Sequence, residues 1–257
     1  MLVEWSQKVV FITGASSGIG QALAVELGRR GASLGLLARR AEALRQTVAE
    51  VEEAGGSVLA LPGDVKDALV VRAAADQLRE RFGHIDVLIA NAGIGTLTDG
   101  AELSASDFAD VINVNVIGAA NSVAAVVPEM VARGEGHLVA ISSLAAYRGL
   151  PKSGAYCASK AAVSAFFESL RLDLSGKGID VTIIHPGFIK TRLTEGRHAR
   201  MPYLMELKSA TDKIIQAIEA RRKSCAFPWQ LASIVRFGML LPIALYDRIA
   251  MRNSFRE

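Results

Sequence analysis

Between a short apolar run and a helix-forming stretch lies Thr13-Gly14-Ala15-Ser16-Ser17-Gly18-Ile19-Gly20. Three glycines at that point allow a tight turn and close backbone approach to a ligand. The following helix start adds N–H donors and a positive dipole end, which together suit a pyrophosphate. About twenty residues further on the chain reads Leu37-Ala38-Arg39-Arg40, and the first acid is Glu42. An acid here would hold both hydroxyls of an adenosine ribose and repel a 2′-phosphate, whereas a guanidinium suits that phosphate. The pattern predicts a site for NADP(H) in preference to NAD(H). Tyr156 and Lys160 stand one helical turn apart, on one face of a helix. A free phenol titrates near pH 10, too high for a base near neutrality. An ammonium beside it, and the positive charge of an oxidised nicotinamide, favour phenolate. The pair can then handle the proton left at oxygen when hydride passes between an alcohol and a nicotinamide.

These residues need a frame, and the chain supplies one. Lys8–Thr13, Ser33–Ala38, Val58–Leu61, Ile85–Ala90, His137–Ser142 and Val181–His185 are short, nearly continuous apolar runs. Parallel strands covered on both faces have this look. Helical patterns over Gln21–Arg30, Ala41–Ala54, Asp67–Phe82, Ser106–Arg133 and Ser153–Gly176 alternate with them. The alternation predicts an α/β fold, a doubly wound parallel sheet of the Rossmann kind, as a single domain over residues 1–257. Ligands in that architecture sit beyond the carboxyl ends of the strands, where the glycine turn, the arginines and Ser143 all fall.

On these residues the chain resembles the short-chain dehydrogenase/reductase family, over nearly its whole length to about residue 195. The Thr13-Gly14-xxx-Gly18-x-Gly20 turn matches that family's cofactor signature, and Tyr156-Cys157-Ala158-Ser159-Lys160 its Tyr-xxx-Lys pair. Asp64 is similar to its adenine-contacting acid, with Val65 beside it, and Asn91-Ala92-Gly93 to its Asn-Ala-Gly element. Asn115, in Val114-Asn115-Val116-Ile117-Gly118, occupies the setting of its helix asparagine. Pro186-Gly187-Phe188-Ile189-Lys190-Thr191 resembles the segment around the nicotinamide amide. The resemblance implies that Ser16, Ser17, Ile19, Pro186, Gly187, Ile189 and Thr191 contribute to cofactor binding and that Lys160 also grips the nicotinamide ribose. It further implies that Ser143, thirteen residues before Tyr156, donates a hydrogen bond to the substrate oxygen and that Asn115 holds a water linking Lys160 to solvent. Taken singly, each residue has an ordinary structural reading: a surface pair, a strand cap, a polar residue in an apolar helix. Their joint order favours the site.

Composition sets the outer limits. The 257 residues are 51% hydrophobic and 21% charged, ample for a core and unlike a disordered chain. A formal net charge of +3 is too mild to argue for nucleic acid. Two cysteines, Cys157 and Cys225, make no disulfide framework and point to a reducing compartment. Glu4 and Lys8 interrupt the only early apolar stretch, so no signal peptide is read and the cytoplasm is the expected location. Cys157 is read as a small core residue, and His84, His137, His185 and His198 show no metal-ligand spacing, so no metal is expected.

Three further expectations concern partners. Helix Ser106–Arg133 is apolar on nearly all sides and, with Ser153–Gly176, predicts a homodimer or homotetramer packed through these helices. Residues 190–210, with Met201, Tyr203, Leu204 and Met205, read as a substrate lid with an apolar lining, so a small-molecule apolar alcohol or ketone is expected. From about residue 228 an apolar, sparsely basic helical extension follows a strand near Ser224–Phe227. It is too interrupted by Arg236 and Pro242 to span a bilayer. Covering the substrate cleft or a neighbouring subunit is the preferred reading; with Arg236, Arg248, Arg252 and Arg256 it also suits a membrane surface. The implied activity is an NADP(H)-dependent exchange between a secondary alcohol and a ketone. An epimerase or dehydratase on the same scaffold, or a dinucleotide-binding sensor or scaffold, stays open.

Overall fold

A computed structural model describes residues 3–97, 99–192, 194 and 201–252. Seven strands form one sheet: β1 Val9–Thr13, β2 Ser33–Ala38, β3 Ser57–Pro62, β4 Val87–Ala90, β5 Gly136–Ile141, β6 Ile179–Pro186 and β7 Ser224–Phe227. All neighbours are parallel, in the order β3-β2-β1-β4-β5-β6-β7. β1, β4 and β5 are buried at every position, which explains why they read as unbroken apolar runs. β3, at one edge, is exposed at three of its six positions. The predicted fourth strand begins two residues late, at Val87; just before it, the carboxylate of buried Asp86 accepts the backbone N–H of Val9 at 2.9 Å.

Helices α1 Gly18–Arg29, α2 Ala41–Glu53 and α7 Leu207–Glu219 pack on one face around Leu23, Leu27, Leu44, Val51, Ile214 and Ile218. The opposite face carries α3 Ala68–Phe82, α5 Gly118–Arg133 and α6 Gly154–Asp173, centred on Val71, Leu78, Val126, Met130, Val163 and Phe167. α3 starts one residue after the predicted Asp67, which caps it instead: the Asp67 carboxylate accepts from the N–H groups of Leu69 and Val70 at 2.9 and 3.3 Å. The helix predicted over Ser106–Arg133 is instead three pieces, α4 Ala105–Ile112, a π-helical turn Asn113–Ile117, and α5. The widened turn coincides with Asn115, whose carboxamide leaves the helix direction to bond the loop after β4. Ala105–Arg133 has the length and hydropathy of a membrane span, yet Val111, Val114, Val123, Val126 and Met130 lie in the core beneath it. Phe108, Ile117 and Val131 on this layer, and Leu172 on α6, remain exposed. The last described elements are α8 Trp229–Met239 and α9 Ile243–Arg252, broken at Pro242.

Candidate active site

A cleft of about 540 Å³ opens at the carboxyl ends of the strands, lined from the turns after β1 to β6. The glycine turn is its floor. Gly14 and Gly18 have φ of +67° and +58°, a region that costs any residue with a Cβ. A Cβ on Gly14 would lie 2.7 Å from the Ala92 Cα, and one on Gly20 would lie 2.5 Å from both the Gly14 oxygen and Asn91 Nδ2. Gly20 therefore acts from beneath the cleft, as a packing residue. Asn91 ties the turn down: its Nδ2 donates to the Thr13 and Gly14 carbonyls at 2.9 and 3.2 Å. The Asn91 and Ala92 N–H groups both donate to Thr13 Oγ1 at 3.2 Å. Ser17 caps α1 in an extended conformation, so the first N–H groups of that helix face the cleft.

Beyond Ala38 the two arginines part. Arg40 Nη2 donates to the hydroxyls of Ser16 and Ser17 at 3.3 and 3.0 Å, placing a cation against the glycine turn. Arg39 leans the other way and pairs with Asp64 at 3.6 Å, its side chain 55% exposed. Asp64 also accepts the N–H of Lys66 at 3.0 Å and lies 3.9 Å from its ammonium. Val65, not Asp64, lines the cleft, and a Cβ on Gly118 would lie 2.6 Å from its side chain.

Tyr156 and Lys160 enter from the first turns of α6, and Ser143 from the end of β5. Lys160 is 5% exposed; its Nζ donates to the Ile141 carbonyl at 2.8 Å and lies 5.8 Å from the centre of the Tyr156 ring. Burial lowers the pKa of its ammonium to about 8, which still leaves it mostly charged at neutral pH. The loop after β4 closes over the pair. A Cβ on Gly93 would lie 3.3 Å from Lys160 Nζ, and one on Gly95 would lie 3.1 Å from the Tyr156 ring. Asn115 holds that loop: it accepts from Ile94 N at 2.8 Å and donates to Ile94 O and Ser159 Oγ, each at 2.9 Å. It is 1% exposed and stands behind the cleft, not on its wall. Ser143 Oγ accepts from Ala145 N at 3.1 Å and donates to the Pro186 carbonyl at 3.5 Å, a long bond that leaves the hydroxyl able to re-aim.

Pro186, Gly187, Ile189 and Thr191 form the remaining wall. A Cβ on Gly187 would lie 2.8 Å from Leu231 and 3.1 Å from Pro228, so the chain must be bare there for the extension to approach. The predicted lid lies partly outside the described residues, His198 included. Its far end is the start of α7 at Leu207, and Met205 is half-buried against the core while Tyr203 and Leu204 are exposed. Of the extension, the inner face of α8 (Leu231, Ala232, Val235) packs on Leu144, Tyr147 and Phe188, next to Ser143. Arg148 donates to the Gly238 carbonyl and stacks 3.8 Å above the Tyr246 ring, and Tyr246 donates to the Gly149 carbonyl. Arg252 and Arg256 contribute no described side chains.

Several lining residues went unread in the sequence, among them Ile94, Gly95, Ser142 and Arg192. Gly93-Ile94-Gly95 carried a signal in its paired glycines; Arg148 carried none, since its partners lie some ninety residues away. A second pocket, about 20 Å³ between Trp5, Asp86 and His137, has room for about one water. The large cleft suits a dinucleotide: two glycines that tolerate no Cβ, an open helix N-terminus, and two cations flanking a buried Ala38. At its inner end a phenol, a buried amine and a hydroxyl converge, as proton transfer at an alcohol oxygen requires.

Residues 8–202 match the family model described as short chain dehydrogenase. An uncharacterized oxidoreductase of Myxococcus xanthus is 41% identical over 251 residues, covering 98% of this chain and 99% of that protein. A crystal structure of a short chain dehydrogenase/reductase from Burkholderia phymatum in complex with NAD superposes with a TM-score of 0.86 at 28% identity, covering 100% of this chain and 99% of the other. The alcohol dehydrogenase of Thermococcus sibiricus, complexed with 5-hydroxy-NADP, gives 0.77 at 27% identity over 86% of this chain and 95% of that one.

Proposed function

The chain belongs to the short-chain dehydrogenase/reductase family, and from that premise we propose that it interconverts a secondary alcohol and a ketone on an apolar substrate, with NADP(H) preferred over NAD(H). Membership itself makes it an oxidoreductase of CH–OH groups with a nicotinamide cofactor. Bound in the cleft, that cofactor supplies or accepts the hydride.

The glycine turn and the N-terminus of α1 bind the pyrophosphate, and Arg39 and Arg40 receive the 2′-phosphate from opposite sides of Ala38. Asn91, Ala92, Gly93, Val65, Pro186, Gly187, Ile189 and Thr191 shape the channel between the two ends. Tyr156 gives a proton to the carbonyl oxygen in reduction and takes it from the hydroxyl in oxidation. The Lys160 ammonium favours the phenolate, and Ser143 steadies charge on the substrate oxygen. Asn115 positions the loop that covers both groups. The apolar wall of Leu144, Tyr147, Phe188 and Leu231 beside Ser143 supports the substrate reading. Exposed Phe108, Ile117, Val131 and Leu172 support a homodimer or homotetramer through the layer that runs from α4 to α6.

The single observation that carries the reading is the shared cleft: Tyr156, Lys160 and Ser143 line the same space as Gly14, Ser17, Arg39 and Arg40. The test is Tyr156→Phe, assayed with NADPH against steroid, fatty-acyl and aromatic ketones. We expect turnover to fall by about 10²–10⁴-fold while NADPH binding stays within about twofold. Undiminished turnover removes Tyr156 as the proton donor. Substrate conversion without net NADPH consumption would mark an epimerase or dehydratase instead.

A further inference from the structure

Nine of the eighteen exposed large apolar side chains among the described residues fall between Trp229 and Met251. They do not belong to the cleft: α8 turns Leu231 and Val235 inward, and its opposite side presents Trp229, Phe237 and Leu240, which are 72%, 66% and 81% exposed. The spacing 229, 233, 237 and 240 sets these residues along one stripe with Ser233. In α9, Ile243, Leu245, Ile249 and Met251 are all exposed, around most of the helix circumference, while Tyr246 anchors the helix to the loop after Ser143.

The charges on this hairpin are lopsided. Arg236, Arg248 and Arg252 stand against Asp247 alone, a net of +2 between Trp229 and Arg252, and Arg236 and Arg248 are exposed beside the apolar stripe. A second copy of this chain would cover one side of α9 and bring like-charged arginines toward each other across a twofold contact. A bilayer interface takes in apolar side chains around a helix lying in its plane, accommodates tryptophan at headgroup level and offers phosphates to arginine. With 11 and 10 residues, α8 and α9 are too short to span a bilayer, so they would lie along it. We infer that the outer face of the α8–α9 hairpin is a docking surface for anionic lipid bilayers. The docking itself does not depend on the reaction assigned above.

The experiment uses the full chain with vesicles of phosphatidylcholine carrying about 30% phosphatidylserine, or of phosphatidylcholine alone, read by co-sedimentation. Quenching by brominated lipid reports the same contact through Trp229, because the other tryptophan, Trp5, is 4% exposed. The protein is expected to pellet with the anionic vesicles at least about fivefold more than with neutral ones, and less at about 0.5 M salt. The double substitution Phe237→Ser and Leu240→Ser should weaken pelleting by about tenfold or more, with thermal midpoint and NADPH binding retained. Three results overturn the inference: no pelleting with either vesicle, equal pelleting of wild type and double variant, or equal affinity for neutral and anionic lipid. Light scattering provides a fourth: a stable dimer that the double substitution dissociates, with no vesicle binding, would give the face to a second copy.

Discussion

The two arginines after β2 invite a perturbation whose size the geometry sets. Arg40 is held on the Ser16 and Ser17 hydroxyls, and Arg39 on Asp64, so each is positioned before any phosphate arrives. A charge-assisted hydrogen bond contributes about 1.5–3 kcal/mol when well shielded, and exposure of these side chains lowers that to about 1–2 kcal/mol. Arg40→Ala should then weaken NADPH binding by about 5–30-fold, at 1.4 kcal/mol per decade. Arg39→Ala should cost at least as much, because it leaves the Asp64 carboxylate beside the phosphate site without its guanidinium, with Lys66, 3.9 Å away, to offset it. Adding Asp64→Asn to Arg39→Ala should recover part of that loss. NADH, which has no 2′-phosphate, should bind each variant within about twofold of the parent, and the NADPH losses should shrink at high salt. Fluorescence titration of both nucleotides at two ionic strengths measures all of this. If NADH weakens by the same factor as NADPH, the arginines hold the part common to both nucleotides and the cofactor preference falls.

Three further outcomes follow from described contacts. Asn115→Leu strands both backbone groups of Ile94 and should cost about 2–4 kcal/mol, lowering the thermal midpoint by about 5–15 °C; an unchanged melting curve would show that the loop after β4 holds itself. His137 and His185 are buried and stay neutral, their pKa values lowered to about 4 by desolvation, while the unfolded chain protonates them near 6.5. Stability should therefore decline as pH falls from about 6.5 toward 4, by about 2 kcal/mol per histidine at pH 5; urea titrations that coincide at pH 7.5 and 5 would contradict this. Arg148→Met removes the stack on Tyr246 and should slow turnover through the loop after Ser143 without changing NADPH affinity, so an affinity loss equal to the rate loss would count against that route.

What could be read from residues alone followed the range of the interactions. β2 runs over Ser33–Ala38 as predicted, because its burial is continuous and its ends are set locally. The break in Ser106–Arg133 was not legible, since what Asn115 bonds lies twenty-one residues upstream. Helix α7 was missed: the lid reading over residues 190–210 takes in only its first turn, and residues 211–219 carried no reading. The extension was recognised as apolar and helical, but its division of labour needed coordinates: an inner face on the cleft wall and an outer face left bare. Within the site, most motif residues line the cleft, whereas three of them, Gly20, Asp64 and Asn115, stand behind or beside it and act on neighbours. A motif marks where a residue sits without saying whether it faces the ligand.

The strand order has a consequence for how the chain comes together. β1 is made first and lies inside the sheet; β2 and β3 add on one flank, then β4, β5, β6 and β7 in turn on the other. Every strand leaving the ribosome thus meets an open edge, and none has to be wedged between two already joined. The glycine turn and the two arginines are made by the end of β2, and Asp64 and Asn91, which hold them, follow after β3 and β4; the proton-handling groups arrive only with β5 and α6. Synthesis would therefore build the cofactor's cradle well before the machinery that uses it.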